Sequence, residues 1–336
     1  MNRRDFVRGA ALVGTTGLLG VRRETVAAEP PPETTTLRFR RNPPTSPGTC
    51  VAPQLITGDL LKAEGFTDVR YTATGIASGY RAVATGEIDL NISFVGNYIT
   101  QVDAGDPIVM LAGVHVGCYE LFASDRIRSV RDLKGKTIGV TELGSGRHLF
   151  LLSLLSYVGL DPNKDVTLVT KPSAESVNLF ATGKLDAYQA FAEEVQELRA
   201  RKIGHVIMSS TDERPWSQYF CCMLAGNREF VRKNPIATKR AMRAILKASS
   251  VCALEPERAA RLVVDRGFTT AQYEYVLNTL KSLPYTKWRD YDPADTIRFY
   301  AVRLHEVGMT KSSPQKILAQ GTDWRFLNEL KKELKG

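Results

Sequence analysis

The chain has 336 residues, of which 43% are hydrophobic and 24% are charged, and this composition excludes a disordered, collagen-like or coiled-coil protein. The length predicts two domains or one large domain. The formal net charge is +9, and beyond residue 28 the excess is mild and dispersed. This argues against a nucleic-acid partner, because such proteins present a concentrated basic face.

The first 28 residues have the three-part pattern of an export signal. Arg3 and Arg4 precede Phe6, a short apolar run follows, and the small residues Val26-Ala27-Ala28 suit cleavage after about Ala28. The arginine pair resembles a twin-arginine signal, and the general secretory route stays open. The apolar run is shorter than the ~20 residues of a membrane span. We therefore predict a periplasmic protein; the alternative is an N-terminal amphipathic helix of the folded domain.

Strand and helix periodicities alternate after the signal. They predict strands at 36–40, 68–73, 88–94 and 108–116, and helices at 51–64, 76–85 and 97–104. Strands separated by helices in this way require a mainly parallel sheet covered by helices.

The middle of the chain repeats this order, and the end is helical. Strands are predicted at 136–140, 166–169, 185–191 and 205–210, with helices at 147–158, 173–182 and 193–201, and then consecutive helices at 235–254, 257–264, 271–280 and 293–307. The segment A-T-G-E-I-D at 84–89 recurs as A-T-G-K-L-D at 181–186, once in each α/β unit. The pattern predicts two similar lobes, with the chain crossing at about 117–119 and returning at about 216–220.

The five cysteines and four histidines show no spacing typical of a metal site, so no metal and no cofactor are predicted. Cys221 and Cys222 would alternate faces in a strand, which disfavours a disulfide between them, while one long-range disulfide stays open. The chain also lacks a Ser-His-Asp order, a G-x-S-x-G elbow, a Walker loop and a dinucleotide fingerprint, so we do not expect an enzyme.

Several short segments occur in an order that is typical of one family. They are Leu60–Phe66, the two repeated A-T-G segments, Tyr119–Ala123, Ser129–Ile138 and Val158–Leu160. Over residues 36–255 the chain resembles the periplasmic substrate-binding proteins of ABC transporters of the nitrate, sulfonate and taurine type, a group related to the thiamine-pyrimidine synthase domain. The resemblance implies a two-lobed, type II venus-flytrap α/β fold with a helical C-terminal region. Lobe 1 would be 36–117 plus 221–336, lobe 2 would be 118–220, and the ligand would lie between them.

Candidate ligand-binding residues follow from position, because the carboxyl ends of strands and the N-termini of helices present free N–H groups to such a cleft. The glycine-rich loop before the helix at 147–158 suits an anion. The predicted set is Thr49, Cys50, Ser78, Gly96, Asn97, Tyr119, Gly144, Ser145, Gly146, Arg147, His148, Phe191, Glu193 and Trp216. Helix capping alone is the alternative for the serines, and packing in the core or between the lobes is the alternative for Trp216.

The resemblance implies an extracytoplasmic receptor that delivers a small anionic organic compound to a membrane ABC permease. The compound would be a sulfonate, nitrate, an aromatic acid or a pyrimidine-like molecule, and the receptor would be a monomer. The alternative is a thiamine-pyrimidine-precursor synthase-like enzyme on the same fold. Such relatives carry a C-C-C-F-C loop that binds iron. The segment of this chain that is most similar to it is Tyr219-Phe220-Cys221-Cys222-Met223.

Overall fold

The structure is a computed structural model, and it describes residues 29–44, 48–74 and 76–334, with the side chains of 76–78 and 80 left out. The predicted export signal lies outside these residues. Among the helices of the described part, none is long and apolar enough to cross a membrane.

The described residues form ten strands. They are β1 (Thr36–Arg41), β2 (Asp68–Ala73), β3 (Leu90–Phe94), β4 (Ile108–Val116), β5 (Tyr119–Ala123), β6 (Lys136–Val140), β7 (Val166–Thr170), β8 (Ala187–Phe191), β9 (His205–Ser209) and β10 (Phe220–Asn227).

Fourteen α-helices are described as well. They are α1 (Ala52–Leu55), α2 (Gly58–Ala63), α3 (Ile76–Ala84), α4 (Val95–Asp103), α5 (Gly146–Tyr157), α6 (Ser173–Ala181), α7 (Glu193–Ala200), α8 (Arg228–Lys233), α9 (Pro235–Leu254), α10 (Pro256–Asp265), α11 (Tyr273–Ser282), α12 (Pro293–Glu306), α13 (Pro314–Gly321) and α14 (Arg325–Glu333). Short 3-10 turns occur at Thr49–Val51, Val130–Leu133, Trp216–Gln218 and Lys287–Arg289.

The strands form two five-stranded mixed sheets with the same design. The orders are β2-β1-β3-β10-β4 and β7-β6-β8-β5-β9. In the first sheet β10 runs antiparallel to both of its neighbours, and in the second sheet β5 does so. The predicted two-lobed α/β fold is confirmed. We refer to the lobe around the first sheet as lobe 1 and to the lobe around the second as lobe 2; the residue limits of the lobes stay a prediction.

The repeated A-T-G segments perform the same task in both lobes. The carboxylate of Asp89 accepts the backbone N–H of Arg38 at 2.7 Å, and that of Asp186 accepts the N–H of Thr137 at 2.9 Å. Each aspartate therefore ties the approach to one strand to the neighbouring parallel strand, β3 to β1 and β8 to β6. The segment is thus more than a glycine-capped helix end, because its last residue also bonds to the adjacent strand.

In two parts of the chain the observed elements differ from what the sequence periodicity predicts. The predicted helix at 51–64 is broken into a 3-10 turn, α1 and α2, because the hydroxyls of Thr57 and Tyr71 donate to the carbonyl of Gln54 at 2.9 and 3.0 Å and take the place of helical N–H groups. Strands β5 and β10 carry no alternating pattern, since every residue of both is buried.

The C-terminal helices cover lobe 1 and reach across the cleft. Helix α9 packs against α1 and α2, while α12 packs against α4 of lobe 1 and also against α5 of lobe 2. Helix α11 contacts α7 in the same way. The two lobes are therefore in direct contact through two helix pairs, α12 with α5 and α11 with α7.

Candidate functional site

A small cavity of about 50 Å³ lies between the edges of the two sheets at which β1, β3, β6 and β8 end. A single water needs roughly 10–15 Å³ of such space, so the cavity has room for a small anionic group or a few waters. Its lining residues come from both lobes and are Arg40, Asn42, Cys50, Val51, Ile92, Ser93, Phe94, Tyr119, Ser145, Gly146, Arg147, Phe191 and Cys222.

Two buried guanidinium groups reach the cavity from opposite lobes. Arg40, at the end of β1, is 5% exposed, and Arg147, in the first turn of α5, is 3% exposed. The Nε of Arg40 donates to the hydroxyl of Thr74 at 3.0 Å, and its Nη2 donates to the Thr74 carbonyl at 3.3 Å. Gly79 lies against this guanidinium, where a Cβ atom would collide with it. Helix α3 can therefore pack on Arg40 only because it carries a glycine there.

Arg147 is held by an acidic partner on its own lobe. Its Nη1 donates to Glu194 Oε2 at 2.7 Å and to the hydroxyl of Tyr188 at 3.0 Å, and the guanidinium lies 5.2 Å from the ring centre of Phe191. Burial lowers the pKa of Arg147, but the Glu194 carboxylate outweighs this and raises it above its ordinary value. Its other guanidinium nitrogens donate to no group in the described part of the chain. Arg147 is thus a permanent cation with N–H groups left for a ligand.

The glycine-rich loop before α5 uses several of its polar groups internally. Ser145 Oγ caps α5 by accepting the N–H of His148 at 3.4 Å and donates to the carbonyl of Glu142 at 2.6 Å. The N–H of Gly144 donates to His148 Nδ1 at 3.0 Å, so it is not available to a ligand. Burial holds the pKa of His148 below its ordinary value, and the ring adds no charge at pH 7. Ser145 lines the cavity, whereas Gly144 and His148 do not.

Glu193 spans the cleft. Its carboxylate, at the start of α7, accepts the backbone N–H groups of Gly48 at 3.1 Å and Thr49 at 3.2 Å, together with the Thr49 hydroxyl. Burial raises the pKa of Glu193, and these three donors act in the opposite direction. Two predicted ligand-binding residues, Thr49 and Glu193, therefore bind each other instead of lining the cavity.

A second contact across the cleft involves Asn97 and the loop before α5. The side-chain Nδ2 of Asn97 donates to the carbonyl of Gly144 at 2.8 Å. Gly146 lies beside it, and a Cβ atom there would be 2.5 Å from the Tyr119 hydroxyl and 2.9 Å from the Cβ of Phe94. Gly146 is thus required for the close approach of the lobes. Gly96, which is buried in the first turn of α4, does not line the cavity.

Aromatic rings form the walls of the cavity. The Tyr119 ring stacks on Phe150 at 4.8 Å and lies 5.4 Å from Phe94 and 5.2 Å from Phe191. Trp216 lies behind this layer, 5.1 Å from Phe150, so it follows the packing alternative and does not line the cavity. Ser78 belongs to α3, but its side chain lies outside the described part.

A second recess of about 450 Å³ lies between α7 and α11. It is larger, but three glutamates, Glu193, Glu194 and Glu197, line it with Arg201 as their basic neighbour. This surplus of carboxylates disfavours an anion. The anion predicted as ligand therefore fits the smaller cavity, which Arg40 and Arg147 both line.

Four cysteines and a histidine gather directly beside the cavity. One ligand atom each of Cys50, His115, Cys118 and Cys222 lies within 4.8 Å of the others, and all four residues are buried. The Sγ of Cys221 is 2.9 Å from that of Cys118 and 3.9 Å from that of Cys222. The two adjacent side chains, Cys221 and Cys222, are expected on opposite faces of the strand. They do not follow this alternation, because the pairing of β4 with β10 shifts register at this point.

The sequence predicts part of this site. Of the fourteen candidates, the structure places Cys50, Tyr119, Ser145, Gly146, Arg147 and Phe191 around the cavity. Sequence reasoning missed Arg40, Phe94 and the thiol cluster, whereas Asn42 begins the segment 42–50 that its position after the first strand marks as a candidate. Arg40 could have been found in the same way, since it lies at the carboxyl end of β1. No sequence pattern indicates the thiol cluster, because its members lie at positions 50, 115, 118 and 222 of the chain.

The comparison with protein families matches residues 62–259 to the family described as NMT1/THI5 like. A binding protein from Brucella abortus is 26% identical over 177 residues, which are 52% of this chain and 55% of the relative. The chain thus spans about half the length of the curated relatives that it matches.

Solved structures share the fold. The nitrate-binding protein NrtA from Synechocystis PCC 6803 superposes with a TM-score of 0.74 at 14% identity, covering 91% of this chain and 90% of its own. The alkanesulfonate-binding protein SsuA from Xanthomonas axonopodis pv. citri, solved with MOPS, gives a TM-score of 0.69 at 18% identity and covers 89% of this chain and all of its own. At these identities the likeness to both proteins concerns the fold alone.

Proposed function

The chain belongs to the NMT1/THI5-like family, and we propose that it is an extracytoplasmic receptor that delivers a small anionic compound to a membrane ABC importer. The observation that carries this proposal is the meeting of two buried guanidinium groups, Arg40 and Arg147, from opposite lobes at one cavity. Guanidinium groups donate strong, charge-assisted hydrogen bonds to anionic oxygens, so a cavity that two of them line is suited to a negatively charged group. The nitrate and sulfonate named for the two structural relatives are ligands of that kind.

Binding would couple to closure of the lobes. A guanidinium offers planar, paired N–H donors that match the oxygens of a sulfonate, nitrate or carboxylate. The first turn of α5 adds the positive end of its helix dipole beside Arg147. An anion that touches Arg40 and Arg147 together contacts both lobes, and therefore stabilises the closed form over the open form. The importer would then recognise the closed form.

We propose binding rather than catalysis, and the ligand is a small anion rather than a large one. In the closed arrangement the cavity of about 50 Å³ holds only the anionic head of an organic compound. The aromatic walls exclude water around that head, which strengthens its attraction to the arginines. Sulfonate and nitrate therefore fit better than a pyrimidine ring.

Thermal-shift measurement on the mature protein tests the ligand class. Nitrate, methanesulfonate, benzoate and a neutral pyrimidine would be added one by one. A ligand present at 100 times its Kd stabilises the folded state by about 2.7 kcal/mol, and we expect that effect for an anion only. Arg40→Met should abolish the shift, while the control Arg201→Met, on the outer end of α7, should retain it. Stabilisation by the neutral pyrimidine alone would contradict the proposal.

Export belongs to the same proposal. The twin-arginine-like start and the Val26-Ala27-Ala28 segment support removal of the first 28 residues and a location in the periplasm. The intact mass of the protein isolated from the native periplasm checks this. A mass that includes residues 1–28 in a cytoplasmic fraction would contradict both export and the receptor role.

A further inference from the structure

The thiol cluster beside the cavity has the composition of a soft metal site. Cys50 comes from the turn after β1, His115 from β4, Cys118 from the connection between the lobes and Cys222 from β10. Their ligand atoms lie within 4.8 Å of one another. Zinc–sulfur bonds of about 2.3 Å in a tetrahedron place neighbouring ligand atoms about 3.8 Å apart, so the cluster needs only a small contraction to hold an ion.

His115 is prepared for this role by its surroundings. The residue is fully buried, and its Nδ1 lies 3.1 Å from the carbonyl of Val116. If Nδ1 carries the proton and donates to that carbonyl, Nε2 keeps its lone pair, and Nε2 has no hydrogen-bond partner among the described residues. A histidine that donates one nitrogen to a backbone carbonyl and offers the other is the usual arrangement of a metal ligand.

We propose that Cys50, His115, Cys118 and Cys222 bind one Zn²⁺ ion. Three thiolates and one imidazole are a closed ligand set, typical of structural zinc. The ion would join the turn after β1 to both segments that connect the lobes, because Cys118 lies on the first of these segments and Cys222 follows the second. Cys50 and Cys222 also line the cavity, so the ion would fix its floor.

Cys118 shows a backbone feature that agrees with a fixed role. Its φ of 94° lies in the left-handed region, which is unfavourable for a residue with a side chain. Gly117 before it also has a positive φ. The Cys118 thiol thus lies in the cluster although its backbone adopts an unfavourable conformation.

Zinc titration of the reduced mature protein against a chromophoric chelator tests the site. We expect one Zn²⁺ per chain by elemental analysis, and at least tenfold weaker binding in Cys118→Ser and Cys222→Ser. Cys252→Ser is the matched control, since Cys252 is equally buried but lies on α9 outside the cluster. It should bind zinc like the wild type. Cd²⁺ added to the wild type should give a thiolate-to-metal absorption band, which needs no variant to fold.

Two results would overturn the proposal. One is zinc at background level in the wild type, or stoichiometric iron in its place. The other is a disulfide between Cys118 and Cys221, found by alkylation and mass spectrometry of the protein from the native host, because it would remove a ligand. An absence of zinc, or the disulfide, would leave the receptor proposal unchanged, since Arg40 and Arg147 are not members of the cluster, whereas stoichiometric iron would favour the synthase-like alternative.

Discussion

Arg147 has two roles in the site. It lines the cavity, and its Nη1 donates to Glu194 Oε2, which also accepts the N–H of Phe191. The ion pair keeps the arginine charged without consuming all of its donors. A ligand therefore meets a guanidinium that is already fixed in place, so less conformational freedom is lost on binding.

Removing this cation should destabilise the fold as well as the binding of an anion. Arg147→Met leaves the Glu194 carboxylate buried without its cation, and breaking a buried pair in this way lowers the free energy of unfolding by about 3–5 kcal/mol. The double variant Arg147→Met/Glu194→Gln should recover a large part of that loss but not the anion binding. Urea denaturation monitored by circular dichroism measures both. Equal stabilities of the single and double variants would argue against the pair.

Gly146 permits the approach of the lobes, and a single methyl group should impair it. In Gly146→Ala the new Cβ would lie 2.9 Å from the Cβ of Phe94 on lobe 1, so lobe closure would have to stop short. We expect at least tenfold weaker affinity for the anion that stabilises the wild type, with little change in melting temperature. Calorimetric titration measures the affinity. The control Leu143→Ala, at an exposed position of the same loop, should bind like the wild type.

At the scale of elements, the contact between β5 and α7 predicts that the free energy of unfolding depends on pH. Burial raises the pKa of Glu120 to about 7, Asp212 and Glu213 add to the rise, and the ion pair with Arg199 at 2.8 Å opposes it. The folded chain therefore keeps a proton that the unfolded chain loses near pH 4.5. This stabilising contribution is complete below pH 4.5 and is lost as the pH rises to about 7.

The size of this effect can be measured. The shift corresponds to about 3 kcal/mol of unfolding free energy across that pH range. We expect urea denaturation to show stability falling from pH 4.5 to 7 and the slope to flatten in Glu120→Gln. Glu175→Gln, on the exposed face of α6, should leave the slope as it is. A slope that Glu120→Gln does not change would assign the pH dependence to other groups.

The sequence predicts an element well when neighbouring residues determine it, and poorly when residues far apart in the chain do. The strands around Phe39 and Ile92 alternate, and the helices end at glycines such as Gly86, so local patterns suffice for them. Strand β10 is buried along its whole length, and its antiparallel place between β3 and β4 is set by the return of the chain from lobe 2. The thiol cluster depends on that same return, since Cys222 reaches Cys50 only after the second lobe is complete. Pairings of this kind cannot be found in a window of neighbouring residues.

At the scale of the whole molecule, the structure shows the lobes in contact, and Glu193 holds them together. Glu193→Ala removes the acceptor for the N–H groups of Gly48 and Thr49, so the closed form loses three hydrogen bonds across the cleft. We expect a larger radius of gyration of the ligand-free variant in small-angle scattering. Glu197→Ala, one turn further along α7, removes only a surface pair with Arg201 and should scatter like the wild type. Identical curves for both variants would show that other contacts hold the lobes.

Trp216 lies where its fluorescence should report on the contact between the two lobes. Its indole touches Phe150 and Tyr157 of α5 on one side and Phe299 and Tyr300 of α12 on the other, with ring centres 5.1–6.0 Å away. Because α5 and α12 belong to different lobes, opening the cleft must separate the indole from one of these ring pairs and admit water beside it. The tryptophan emission should then shift to longer wavelength. Lobe motion in this protein can therefore be timed in a stopped-flow fluorimeter without attaching a dye.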